Sequence, residues 1–233
     1  MDAVVNAVSA YVEKDEVTYN SVHELGALNV ARGCKQQGVQ SLIHISGIGA
    51  DAASDSKYIA ARGRGDLGVQ QAFPGIVIFR PSVMFGRDDA FLNTLAKIVR
   101  LTPIIPLIGG GLTRLQPVHV DDVAEAVLHV LQTPDSAGKT YELCGPETHT
   151  LRQIVELVAS CLGRRRLYIS IPMDVAHSLA RFFEHLPVAP FTVAQIDLLR
   201  EDTVLTHGVP ALSELGITPR SLQDSIAELA ASR

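Results

Sequence analysis

With 233 residues, 47% of them hydrophobic, the chain is long enough to bury one sizeable core, or a core with an attached lobe. A formal net charge of −5 argues against nucleic-acid binding and against a polybasic membrane-surface role. There is no C-x-x-C spacing, no apolar run near the ~18 residues of a membrane span and no secretory signal, which predicts a soluble, metal-free protein with reduced thiols in a cytoplasmic setting.

Residues 3–8 are mostly apolar on both faces and predict a strand of a covered parallel sheet. A helical pattern runs over 18–37, with Gly38 as its stop. Residues 41–46 predict a second strand, 47–56 a loop, and 58–72 a helix weakened by Gly63, Gly65 and Gly68. Pro74-Gly75 turns the chain into a third strand over 76–80. This strand, helix, strand, helix, strand alternation indicates parallel βαβ units. Residues 90–101 predict a helix, 103–111 a Pro/Gly-rich connection and 116–120 a short extended segment. Asp121 reads as the cap of a helix reaching Leu131. A short strand follows over 140–144. Thr150-x-x-Gln153 and Thr192-x-x-Gln195 read as capping boxes, residues 173–186 as an amphipathic stretch, and Thr218-Pro219 as the opening of the last helix. Gly47-x-Gly49 lacks a third glycine and an immediate helix. Gly109-Gly110-Gly111 is not followed by a helix. Both read as turns, not phosphate cradles.

Ser46 ends the second predicted strand, Tyr58 opens the next helix, and Arg62 follows four residues later. A phenol with a pKa near 10 is a poor acid or base at neutrality. A cation one helical turn away lies on the same face and favours the phenolate. Strand ends of an open α/β sheet are also where ligands bind.

Serine followed by Tyr-x-x-x-Lys resembles the hydride-transfer constellation of the short-chain dehydrogenase/reductases, with Arg62 here in place of the lysine. Arg80-Pro81-Ser82-Val83-Met84-Phe85-Gly86 and His119-Val120-Asp121-Asp122-Val123-Ala124 resemble segments of the extended and atypical members, the NAD-dependent epimerase/dehydratase-like proteins. Val22-His23, Pro106-Leu107-Ile108-Gly109-Gly110-Gly111 and Gly138-Lys139-Thr140-Tyr141-Glu142-Leu143 narrow the likeness. They resemble the group that includes the NAD(P)-binding accessory subunit of respiratory complex I and its bacterial relatives.

The resemblance implies a doubly wound, Rossmann-like parallel sheet over residues 1–147, with 82–115 contributing to a substrate lobe, and a small, mostly helical lobe over 148–233. It implies NAD or NADP as cofactor, held by Asn6, Ala7, Ser46, Tyr58, Arg62, Pro81, Ser82 and Val83. Ser46, Tyr58 and Arg62 would be the catalytic residues of an oxidoreductase or epimerase, while in the complex I group the nucleotide often serves structure or assembly. Partners implied are respiratory-complex subunits at the inner membrane, with peripheral membrane contact, or a chain that completes the sheet. Residues 1–40 lack the family's glycine fingerprint. The expectation is therefore an N-terminally incomplete domain, a fragment or late-start gene product, whose residues 3–8 form a sheet edge and which binds NAD(P)H weakly or not at all.

Overall fold

The computed structural model describes residues 2–183 and 192–231. Four strands form a parallel sheet in the order β1-β2-β3-β8: β1 Ala3–Asn6, β2 Ser41–Ile45, β3 Val77–Pro81 and β8 Thr140–Leu143. β1 lies at an edge, as expected, and is shorter than the predicted 3–8. Val5 remains 42% exposed. An apolar edge of this kind is open to pairing with another strand.

The β1–β2 connection contains a π-helical segment, Asn20–Gly26, that runs on into α1, Ala27–Gln36. Gly38 takes a left-handed conformation (φ 65°) just beyond it, where a side chain would be strained. α2, Lys57–Ala72, links β2 to β3. Ala27, Ala31, Leu42, Val69, Ile76 and Ile78 form the core between these helices and their strands.

The chain divides into two compact units. One comprises Met1–Pro81, Ala124–Leu143 and Leu205–Ile217, and the other Ser82–Val123, Cys144–Val204 and Thr218–Arg233. In the second unit lie β4 Met84–Phe85, α3 Ala90–Leu101, β5 Ile104–Ile108, β6 Arg114–Leu115, β7 Val118–His119, β9 His149–Thr150, α5 Leu151–Cys161, β10 Leu167–Ile171, α6 Met173–Phe183, α7 Val193–Leu198 and α8 Leu222–Ala231. α4, Val120–Gln132, runs from this unit into the first. Phe85, Leu92, Val99, Leu115, Ile154 and Val158 are among the residues filling the second unit's main core.

Both capping boxes form: Thr150 and Thr192 each accept from the amide three residues on, and Gln153 and Gln195 reach back to the cap amides. Other expectations need correction. The 103–111 connection contains β5, which pairs in parallel with the unpredicted β10. α4 starts at Val120, so Asp121 lies inside its first turn instead of capping it, and its amide donates to His119 Nδ1 at 3.1 Å. α8 starts at Leu222, later than Thr218-Pro219 predicts, and the Arg220 amide before it donates to Asp122 Oδ2 at 2.8 Å. The 173–186 stretch is helical as far as Phe183, and its last residues lie outside the described residues. Cys34 and Cys144 are buried, and none of the three cysteines is disulfide-bonded. Among the described residues no helix is long and apolar enough to cross a membrane.

Candidate functional site

α2 presents Tyr58, Arg62 and Asp66 at four-residue intervals, one above the other on a single helix face. Two of its glycines explain how the helix comes so close to its neighbours. A Cβ at Gly63 would collide with the backbone of Asp51 and Ala52, and one at Gly65 with the carbonyl of His23. These residues weaken the helix locally and in return permit backbone-to-backbone approach. On the strand side, a Cβ at Gly47 would fall within the Arg62 guanidinium, so Arg62 packs over the residue that follows Ser46.

Arg62 Nη1 donates to the Tyr58 hydroxyl at 2.9 Å, and the guanidinium carbon lies 5.4 Å from the ring centroid. The structure thus joins Tyr58 to Arg62 as the spacing predicts. It also places Tyr58 where the sequence does not: only 1% of it is exposed. The segment after β1 folds over it. Tyr11 stacks on its ring (5.4 Å, 29°), and Tyr19 and His23 meet it edge-on at 5.4 and 5.2 Å. The covering segment is tied down by His23 Nε2, 3.0 Å from the Ala10 carbonyl, and by the Tyr19 hydroxyl donating to the Tyr11 carbonyl at 3.1 Å.

This environment reverses the expected electrostatics. Burial pushes the Tyr58 phenol above its ordinary 10; Arg62 pulls it down without compensating, and Tyr11 pushes it further up. Burial likewise holds His23 below the usual imidazole range, with Arg62 contributing in the same direction. In a titration followed by phenolate absorbance, the difference between the native chain and Tyr58→Phe is expected to be flat until the pH exceeds 10. A step near or below about pH 8 would show that Arg62 prevails and that Tyr58 is a usable base.

Ser46 is buried, and its Oγ has no hydrogen-bond partner. Its amide donates to the Phe79 carbonyl at 2.7 Å, which fixes it at the strand end. An orphaned buried hydroxyl beside a guanidinium-packed glycine fits a polar group of a ligand. The phenol of Tyr58, covered by Tyr11, does not present itself to one.

Sequence reasoning missed the group one turn further along. Asp66, 1% exposed, accepts from Arg80 Nε at 2.9 Å and lies 2.8 Å from Arg80 Nη2, while its other oxygen is 3.6 Å from His44 Nε2. His44 in turn contacts Asn6 Nδ2 through Nδ1 at 3.1 Å. Burial depresses the His44 pKa; Asp66 opposes this, and Arg62 and His23 add to it. The signal was the continuation of the helix-face spacing from Tyr58 through Arg62 to Asp66.

The remaining predicted residues are committed to the fold or open to solvent. The Asn6 side chain is engaged by His44 and by the Val8 amide at 3.4 Å, and Ala7 is exposed. The Pro81 carbonyl accepts from the Ile48 amide at 3.1 Å. In the second unit, the Ser82 hydroxyl donates to the Thr203 carbonyl at 2.8 Å, and the Val83 carbonyl accepts from the Val118 amide at 3.0 Å.

Comparison with known proteins agrees with this architecture. The rat mitochondrial NADH dehydrogenase [ubiquinone] 1 alpha subcomplex subunit 9 is 30% identical over 224 residues, covering 95% of this chain and 59% of the relative. The 40 kDa subunit of NADH-ubiquinone oxidoreductase from Neurospora crassa is 29% identical, covering 95% and 58%. The chain thus spans less than two thirds of the length of these relatives. Among solved structures, the UDP-glucose 4-epimerase of Thermus thermophilus in complex with NAD superposes with a TM-score of 0.70 at 20% identity, covering 99% of this chain and 76% of that one. The dTDP-glucose 4,6-dehydratase DesIV of Streptomyces venezuelae gives 0.71 at 17%, covering 99% and 72%. At these identities the likeness is one of fold. The model of the NAD dependent epimerase/dehydratase family matches residues 1–144, and the chain belongs to that family.

Proposed function

We propose that this chain is a non-turnover NAD(P)-binding member of its family, acting in the structure or assembly of a respiratory complex, as the names of its complex I relatives suggest. The observation that carries the reading is the sealed phenol: Tyr58 is 1% exposed beneath Tyr11, and burial raises its pKa. A general acid or base must be within reach of the substrate and titrate near the working pH. Tyr58 meets neither condition in this arrangement. Ser46 and Arg62 would hold the nicotinamide ribose end, Ser46 through its unpartnered hydroxyl and Arg62 through its guanidinium. When bound, the nucleotide supplies a hydride donor or acceptor; here its role would be to brace the strand ends and α2. Asn6, Ala7 and Pro81 are proposed at most as backbone contacts.

A second reading, an oxidoreductase or epimerase using Tyr58 as acid/base, draws support from the 2.9 Å Arg62–Tyr58 hydrogen bond. Calorimetric titration of the 233-residue chain with NADH and NADPH, paired with co-purification of respiratory subunits, separates the two. The expected result is weak but measurable binding, with a Kd of about 0.1–1 mM, no turnover of the nucleotide, and partner recovery unchanged in Tyr58→Phe. Turnover of a reduced nucleotide that Tyr58→Phe abolishes would overturn the proposal and establish the second reading.

A further inference from the structure

We propose that the second unit docks on an anionic lipid bilayer through the end formed by α3, β5 and β10. β5 and β10 make a two-stranded parallel ribbon, with Ile104 beside Leu167 and Pro106 beside Ile169. The exposed aliphatic side chains here are Leu101 (71%), Leu167 (69%), Ile169 (51%) and Ile104 (45%). Directly before β10 come Arg164 and Arg165, both exposed. Arg166 Nε donates to the Val99 carbonyl at 2.7 Å and holds this basic turn against the end of α3. Aliphatic surface and guanidinium groups therefore share one end of the unit.

The charge is segregated as well. The whole chain carries a net −5, yet there is no Asp or Glu in residues 90–120 or 157–173. The segments that form this end thus carry basic and no acidic side chains of their own, and the nearby Glu156 of α5, which faces Tyr168, is paired with Arg152 at 2.8 Å. Short aliphatic side chains rimmed by arginine suit the boundary between acyl chains and phosphate headgroups. Guanidinium pairs with phosphate in a fork, and each cation near an anionic surface adds attraction. Protein partners are more often gripped by aromatic anchors, and the ribbon's aromatic residue, Tyr168, is taken up by Arg152, whose guanidinium carbon lies 5.6 Å from its ring centroid. The open edge of β10 would remain at headgroup depth, where water reaches backbone N–H and C=O groups.

The test is co-sedimentation of the full chain with vesicles of phosphatidylcholine alone or mixed with phosphatidylglycerol. The expected partition coefficient is at least about tenfold higher on the anionic vesicles and falls as salt rises. Arg164→Glu with Arg165→Glu is expected to lower it about ten- to thirtyfold, and Leu167→Ser with Ile169→Ser to lower it as well. Circular dichroism verifies that the variants fold, and the salt series on the native chain decides the matter if they do not. Equal partition on both vesicle types, or indifference to charge reversal, would overturn the proposal. Vesicle-independent, salt-sensitive binding to poly-glutamate would overturn it in favour of an acidic protein partner.

Discussion

Asp66→Ala is expected to cost about 3 kcal/mol of folding stability, read as a lower urea midpoint. Removing one member of a buried ion pair typically costs ~3–5 kcal/mol, because the partner is left without compensation. Asp66 is 1% exposed and takes two contacts from Arg80, at 2.9 and 2.8 Å. The Arg80 side chain retains 29% exposure, so water partly solvates the orphaned guanidinium and holds the cost to the low end of that range. The pair ties α2 to β3, and His44 at 3.6 Å extends the tie to β2. Arg62 and Tyr58 lie one and two turns up the same face, so the variant should also loosen the phenol. Asp66→Asn separates the effects: it retains the shape and loses the charge. A midpoint for Asp66→Ala equivalent to less than about 1 kcal/mol would show that the network does not anchor the helix.

Gly65→Ala should be nearly as damaging, and its neighbour Gly68→Ala should do the opposite. A methyl at Gly65 meets the His23 carbonyl, which is backbone and cannot rotate away. Overpacking of this kind costs about 1–3 kcal/mol, and the rigid obstacle argues for the upper end. At Gly68 the nearest atom to a new Cβ is Leu28 Cδ1 at 3.8 Å, an ordinary contact. Replacing that glycine removes a helix-propensity penalty, so about 0.5–1 kcal/mol of stabilisation is expected. Thermal melts of the two variants side by side provide the measurement. If both shift in the same direction, close approach of α2 to the π-helical segment is not what selects glycine at position 65.

The two substitutions also indicate which parts of the molecule could be read in advance. The alternation of apolar strands with helices marked the parallel sheet, because each period is local and repeats. β5 was hidden by Pro106, which lacks an N–H and reads as a connection. β5 tolerates it in a ribbon that pairs with β10 alone among the described residues. β10 then had no recognisable partner. At the site, the Tyr58–Arg62 contact was legible as a four-residue helical spacing, whereas its sealing by Tyr11 was not. That contact joins residues 47 apart through an irregular segment with no periodicity to betray it. The sign of the phenol's pKa depends on this long-range burial, so the arginine alone pointed the wrong way. The roles of Gly63 and Gly65 were visible as composition and misread as weakness, since close approach requires the partner backbone to be known.

The segment over Tyr58 also has a thermodynamic consequence for any molecule that must touch that phenol. Such a ligand binds only those copies in which Tyr11 has lifted, after the His23–Ala10 and Tyr19–Tyr11 hydrogen bonds have parted. Its measured affinity is the intrinsic one scaled by the open fraction: with one copy in about a hundred open, the apparent Kd is a hundredfold weaker. Part of whatever binding strength the site has is therefore spent on opening. Reciprocally, a ligand that wins this competition leaves Tyr11, already 45% exposed, swung outward as a new aromatic handle on the surface.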